Sequence, residues 1–293
     1  MGAKKVIMED IIYWIWLSIL DLRPIEKIKL IEIFGSPEKI FKLSEKELRK
    51  ITNKEKLINI LKAPKKIEEA IDILKKSINQ NIEIINILNK KYPSRLKQIY
   101  GYPIILYAKG NVKLLESEKT MAIVGSRDCT EYGRFVTKRF SHLLCKKNFT
   151  IISGMAEGID SIAHQETLTS NGKTIAVLGS GINFIYPKNN EKLYYDILKN
   201  NGLIISEYPL NTRPTPNYFP MRNRIISGLA DKILITEASK NSGSIITANL
   251  GLEQGKDIYA IPGNITSLKS AGTNELIKEG AILVSSLEDI INL

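Results

Sequence analysis

Thr120-Met-Ala-Ile-Val-Gly-Ser-Arg127 is a short apolar run closed by glycine, and the amphipathic stretch Tyr132–Lys146 follows it almost at once. That alternation then repeats to the end of the chain. Apolar runs recur at Met121–Val124, Thr150–Ile152, Thr174–Leu178, Leu203–Ile205, Lys232–Ile235, Ile258–Ile261 and Ile282–Val284. Helical patterns such as Ile245–Gln254 lie between them. Buried strands separated by helices predict an α/β fold, a Rossmann-like, doubly wound and mostly parallel sheet.

Upstream the texture differs. Residues 1–90 read as helices with no strand pattern: Ile25, Ile28, Ile31 and Ile33 recur near helical spacing, and Ser44-Glu-Lys-Glu47 forms a capping box. Ala63-Pro64 precedes a further helix over Ile67–Ile78. Residues 91–118, with Tyr92-Pro93 and Tyr102-Pro103, read as a connector holding one short strand, Ile104–Ala108. The expected organisation is a helical domain over 1–90, the connector, and a Rossmann-like domain over 119–293.

Two hundred and ninety-three residues with 43% hydrophobic and 25% charged side chains exclude a disordered or collagen-like chain. Cys129, Cys145, His142 and His164 make neither a disulfide framework nor a zinc set, so no metal site is expected and a reducing cytoplasm fits. The apolar run Ile11–Leu20 is too short for a membrane span and is flanked by Glu9, Asp10 and Asp21; it reads as a buried helix.

The net charge of +11 points towards nucleic acid, but it is uneven. Residues 1–110 carry 22 Lys/Arg against 13 Asp/Glu, and residues 111–293 carry 20 against 18. The excess is mostly lysine along helices, where it reads as a solvated face. Arginine is scarce, nine against 33 lysines, yet six lie after residue 111: Arg127, Arg134, Arg139, Arg213, Arg222 and Arg224. In such a chain guanidinium is placed for bidentate contact, either with a ligand phosphate or with a structural carboxylate.

Gly125, Gly154, Gly179 and Pro262-Gly263 each follow a predicted strand, where an open α/β sheet forms its binding crevice. Together they favour an anionic ligand. Neither G-x-G-x-x-G nor a P-loop motif is completed, so no nicotinamide or ATP cofactor is expected. Arg127 offers a guanidinium at the crevice mouth. In Asn217-Tyr-Phe-Pro-Met-Arg-Asn-Arg-Ile-Ile226, Pro220 suits a first helical turn, with aromatics beside Arg222, Asn223 and Arg224. Stacking rings next to phosphate donors suit single-stranded nucleic acid; the alternative puts Phe219 in the core and Arg222 in a salt bridge. The approach through Pro214 and Pro216 is extended, which favours a crevice-facing ring. Asp160 and His164, one helical turn apart, read as a structural hydrogen-bonded pair rather than an acid–base dyad, so no catalytic residue is assigned.

The ordered motifs resemble those of the DNA processing protein A family (DprA, also called Smf) over roughly residues 92–285. They are Ala122-Ile-Val-Gly-Ser-Arg127, Ser153-Gly-Met-Ala-Glu-Gly-Ile-Asp160 with Ala163-His164, and Ala176-Val-Leu-Gly-Ser-Gly181 with Tyr186-Pro187. Ile205-Ser-Glu-Tyr-Pro209, Phe219-Pro-Met-Arg-Asn-Arg-Ile-Ile-Ser-Gly228, Ser242-Gly-Ser244 with Thr247-Ala248, and Pro262-Gly-Asn264 with Gly272-Thr-Asn274 complete the order. The resemblance implies a homodimer that binds single-stranded DNA and helps load the RecA recombinase in natural transformation. It implies a DNA-binding set of Gly125, Ser126, Arg127, Gly154, Gly158, Phe219, Arg222, Asn223, Arg224, Ser242, Gly243, Ser244 and Asn264.

Three departures stand out. Asp21-Leu-Arg-Pro-Ile25 replaces the glycine hairpin often found between the family's N-terminal helices, and the last predicted strand ends too near Leu293 for the winged-helix-like domain of many members. The near-neutral core means that binding rests on a local patch. The same core is also similar to nucleotide-cleaving phosphoribohydrolases with the motif P-G-G-x-G-T-x-x-E. Here Asn264 replaces the second glycine, and Glu275 falls one residue short of the catalytic glutamate, with leucine at 276. A binding protein, not an enzyme, is the expectation.

Overall fold

The alternation that begins at Thr120 folds as read. In the computed structural model, which describes residues 2–292 with side chains from residue 10 onward, the chain divides into two compact units. One comprises residues 1–92 and 100–107, the other residues 93–99 and 108–293, so the expected connector is shared between them.

The first unit contains helices α1 (Gly2–Ile19), α2 (Pro24–Phe34), α3 (Pro37–Lys42), α4 (Glu45–Ile51), α5 (Glu55–Leu61) and α6 (Lys65–Asn79). Trp14, Ile15, Trp16 and Leu17 are fully buried, as expected for the apolar run, and the Trp16 ring meets Phe41 edge-on at 5.2 Å. Among the described residues no helix is long and apolar enough to cross a membrane. Ser44 and Glu47 close the capping box at α4 reciprocally, satisfying two backbone donors that a helix start leaves open.

One expectation fails here. Strand β1 (Glu83–Asn86) lies inside the segment read as purely helical, beside β2 (Ile105–Gly110). Asn81, at φ +53° in the left-handed region, ends the helical path, although Ile82 and Ile85 continue the helical spacing from Ile78.

The second unit continues with β3 (Thr120–Val124), α7 (Glu131–Lys146), β4 (Thr150–Ser153), α8 (Ile159–Thr169), β5 (Lys173–Leu178), α9 (Glu191–Lys199) and β6 (Leu203–Ser206). Then come α10 (Tyr218–Leu229), β7 (Lys232–Ile235), α11 (Gly243–Glu253), β8 (Asp257–Ala260), α12 (Ala271–Lys278), β9 (Ile282–Leu283) and α13 (Glu288–Ile291). These strands lie in the order β6-β5-β4-β3-β7-β8-β9, and every pair among them is parallel. Strands β3, β4 and β6 are buried along their whole length, as parallel strands covered on both faces are. Met121, Ile123, Phe140, Leu144, Ile151 and Tyr259 centre the core on one side.

The topology places the crevice. From β3 the chain moves to β4 on one side, while β3's other neighbour is β7, reached only after β6. Between β3 and β7 the order reverses, and ligands of open α/β sheets bind outside the carboxyl ends of the strands at such a point. Arg95 braces the opposite end. Its guanidinium donates to Thr120 Oγ1 at 2.7 Å and Asp231 Oδ1 at 2.9 Å, at the starts of β3 and β7.

Candidate functional site

At the reversal point a cavity of about 420 Å³ opens between the loop after β3 and the first turns of α10 and α11. Gly125, Arg127, Asp160, Tyr186, Phe219, Arg222, Asn223, Gly243 and Ser244 line it. A smaller recess of about 50 Å³ continues past Gly154, Gly179 and Ser180.

The loop carrying Arg127 is set by close backbone contact. Ser126 is buried; its N–H donates to the Glu237 carbonyl at 2.8 Å and its hydroxyl to the Asp128 carbonyl at 3.0 Å. Gly158, at φ +74°, packs against the carbonyls of Ser126 and Arg127, which a Cβ would approach to 2.3 Å. A left-handed backbone and the absence of a side chain are both required there. Arg127 itself is exposed, and among the described residues its guanidinium has no ion pair or hydrogen bond; it lies 5.4 Å from the Phe219 ring centroid.

Phe219 is half-buried. Its ring lies over Gly179, where a Cβ would come within 2.9 Å of it, and 5.6 Å from the Tyr186 ring at a 30° tilt. Tyr186 is 46% exposed. Pro220 falls in the first turn of α10, as its spacing predicts.

Arg222 and Arg224 correct the expectation of open phosphate donors. Arg222 is only 4% exposed; its Nη1 donates to the carbonyls of Gly154 and Val177, and its Nε to Asn223 Oδ1 at 3.2 Å. A Cβ on Gly154 would fall 2.7 Å from the guanidinium, so glycine is what lets the fork lie flat on the strand end. Burial pushes the Arg222 pKa down to about 10, opposed by Asp160. Burial likewise raises the Asp160 carboxyl, opposed by Arg222 and by the Gly154 N–H at 3.1 Å. Arg224 is 6% exposed, pairs with Glu207 and lies outside the cavity lining.

Asp160 and His164 do not bond to each other. Asp160 turns to Gly154, while His164 Nδ1 lies 2.7 Å from Thr174 Oγ1 in the core. Asn223 donates to the Gly243 carbonyl at 3.3 Å, tying α10 to the start of α11. Ser242 caps α11 through the Ser244 N–H at 3.4 Å. Asn264 lines a different cavity, beside Tyr132 and Ser270.

A sequence profile described as DNA recombination-mediator protein A matches residues 83–293. DNA processing protein DprA of Bacillus subtilis is 40% identical over 202 residues, covering 69% of this chain and 68% of that protein. Its Streptococcus pneumoniae counterpart is 43% identical over 204 residues, covering 70% and 71%. This chain belongs to the DprA family. The solved structure of S. pneumoniae DprA superposes with a TM-score of 0.80 at 34% identity, covering 96% of each chain. Helicobacter pylori DprA, whose structure is described for its single-stranded DNA binding mode, gives a TM-score of 0.65 at 33% identity over 72% of this chain.

Within this DprA-family fold, one site residue escaped the reading of side-chain chemistry. Tyr186 appears in a family motif, yet nothing in its own neighbourhood marked it as a cavity residue; its partnership with Phe219 spans 33 positions and exists only in the folded chain. Among the described residues no cluster of three or more His, Cys, Asp or Glu could hold a metal.

Proposed function

We propose that this protein is a recombination mediator that binds single-stranded DNA at the β3–β7 reversal point and helps load a RecA-type recombinase onto the bound strand. The observation that carries the reading is the exposed Arg127 guanidinium, with no ion pair among the described residues, set beside the Phe219–Tyr186 ring pair. The guanidinium supplies a bidentate phosphate contact, and the rings supply a face on which any base can stack. Duplex DNA keeps its bases paired and cannot use those rings. The single-stranded DNA binding described for the H. pylori relative supports the same reading.

Within the proposal, Arg127, Phe219, Asn223, Gly243 and Ser244 form the contact surface, with Gly125 at its edge letting the loop pack against Ile159 and the Glu237 carbonyl. Gly154, Gly158, Ser126, Ser242, Arg222 and Arg224 hold that surface in place. The protein acts as a cytoplasmic homodimer, so that two linked pockets gain avidity on one long strand.

Catalysis of the phosphoribohydrolase kind is not favoured. Glu275 lies within reach of Lys240 and Lys278, at 3.7 and 3.9 Å, and lines neither cavity at the strand ends. Incubation with nucleoside monophosphates should release no free base. The test of binding is a comparison of single- and double-stranded oligonucleotides across a salt series. Clear preference for the single strand supports the proposal, and equal affinity for duplex contradicts it.

A further inference from the structure

The loop from Gly125 to Thr130 has a cavity on each side of it. Gly125 and Arg127 line the one already described; Thr130 lines a second, also of about 420 Å³, together with Tyr132, Glu237, Asn264, Ser267 and Ser270. That volume falls within the ~300–1,000 Å³ typical of ligand sites.

Its chemistry is that of a planar, neutral guest. The Tyr132 hydroxyl donates to the Pro262 carbonyl at 2.7 Å, which fixes the ring while leaving the residue 46% exposed. Ser270 is 4% exposed, lines the cavity, and its hydroxyl has no hydrogen-bond partner among the described residues. A Cβ on Gly263 would come within 2.0 Å of that hydroxyl oxygen, so glycine leaves it room. Glu237 is buried at the wall and accepts from the Thr130 N–H at 2.8 Å and the Thr130 hydroxyl at 2.5 Å. A carboxylate there repels phosphate, and its remaining lone pairs accept N–H donors. An aromatic face, a serine hydroxyl and an acidic acceptor match a nucleobase.

We propose that this cavity receives a second base of the bound strand, stacked on Tyr132, with Ser267, Ser270, Asn264 and Glu237 meeting its polar edge. The inference rests on the single-stranded DNA reading above. Arg127 then serves the phosphate backbone between two base-receiving cavities. The ion pair of Asp128 with Lys269, at 2.6 Å, joins the Arg127 loop to the segment that carries Asn264, Ser267 and Ser270.

The test uses the full chain and an oligothymidylate carrying 5-iodouracil, cross-linked by light and mapped by peptide mass. Cross-links are expected both near Tyr186 or Phe219 and on the peptide containing Tyr132. Tyr132→Ala should weaken binding on the order of tenfold with unchanged melting, and Tyr132→Phe should bind nearly as the parent does. Cross-links confined to the Phe219 side, with wild-type affinity for Tyr132→Ala, would overturn the second cavity while leaving the first intact. Absence of any single-stranded DNA binding by the parent protein would overturn both.

Discussion

The loop after β3 and the second turn of α10 both carry arginine at or beside one crevice, in a chain that otherwise prefers lysine, yet they use it oppositely. Among the described residues exposed Arg127 has no ion pair or hydrogen bond, while Arg222 and Arg224 lie buried against two strand-end carbonyls and Glu207 respectively. The guanidinium fork suits both tasks. In the interior it satisfies several acceptors at once, where a lysine ammonium offers no planar fork. At the surface the same fork stays free for a phosphate. Residue type therefore marks the crevice, but burial decides which arginine is structural and which can bind.

The largest effect expected from that contrast is at Arg222. Arg222→Ala should cost ~3–5 kcal/mol of stability, because it leaves two buried carbonyls without their donor and removes the positive charge that offsets the burial of Asp160. Chemical denaturation measures it, and a near-native midpoint would show that the buried arginine is dispensable. His164, in the same buried layer, gives a pH-dependent signature. Its pKa is held down to about 3, first by burial and then by the Arg222 charge. The unfolded chain takes up that proton near pH 6.5 and the folded chain does not, so this contribution to stability is full above pH 6.5 and falls away towards pH 3. Between pH 6.5 and 5 it amounts to roughly 2 kcal/mol. His164→Asn should flatten the dependence of melting temperature on pH over that interval, and an unchanged slope would count against the assignment.

Phe219 lies between the two regimes. Phe219→Ala should weaken single-stranded DNA binding by ~1–3 kcal/mol, with Phe219→Trp retaining it. A large fall in melting temperature with unchanged affinity per folded molecule would make the ring a core residue instead. The smallest structural effect is expected at Arg127. Arg127→Ala should shift stability by no more than about 0.5 kcal/mol, since the side chain packs against little beyond one ring face. Arg127→Lys should stay folded yet bind less tightly if the phosphate contact is bidentate; full binding by the lysine variant would reduce Arg127 to a point charge.

The fold was legible because parallel strands buried on both faces leave unbroken apolar runs. Lys232–Ile235 matches β7 residue for residue, and the other six core strands shift by one residue at an end or two. Strand β1 escaped because its isoleucines continue the spacing of the helices before it. The site was legible in part. Arg127 and Phe219 announce themselves by residue type and loop position. The roles of Arg222 and Arg224 do not, because the carbonyls of Gly154 and Val177 and the carboxylate of Glu207 arrive from distant strand ends. Asp160 and His164 share a helix in sequence, yet each finds a better partner across it, in Gly154 and Thr174. Local spacing shows which side chains are neighbours on an element, and only packing shows which way each one turns.

The most direct measurement is the salt dependence of single-stranded oligonucleotide binding, by fluorescence anisotropy, for the parent protein and Arg127→Ala. If Arg127 holds a phosphate, the variant should bind more weakly and the slope of log affinity against log salt should shrink by about 0.7, one phosphate contact on a single strand. An unchanged affinity and slope, with both proteins equally folded, would contradict the account.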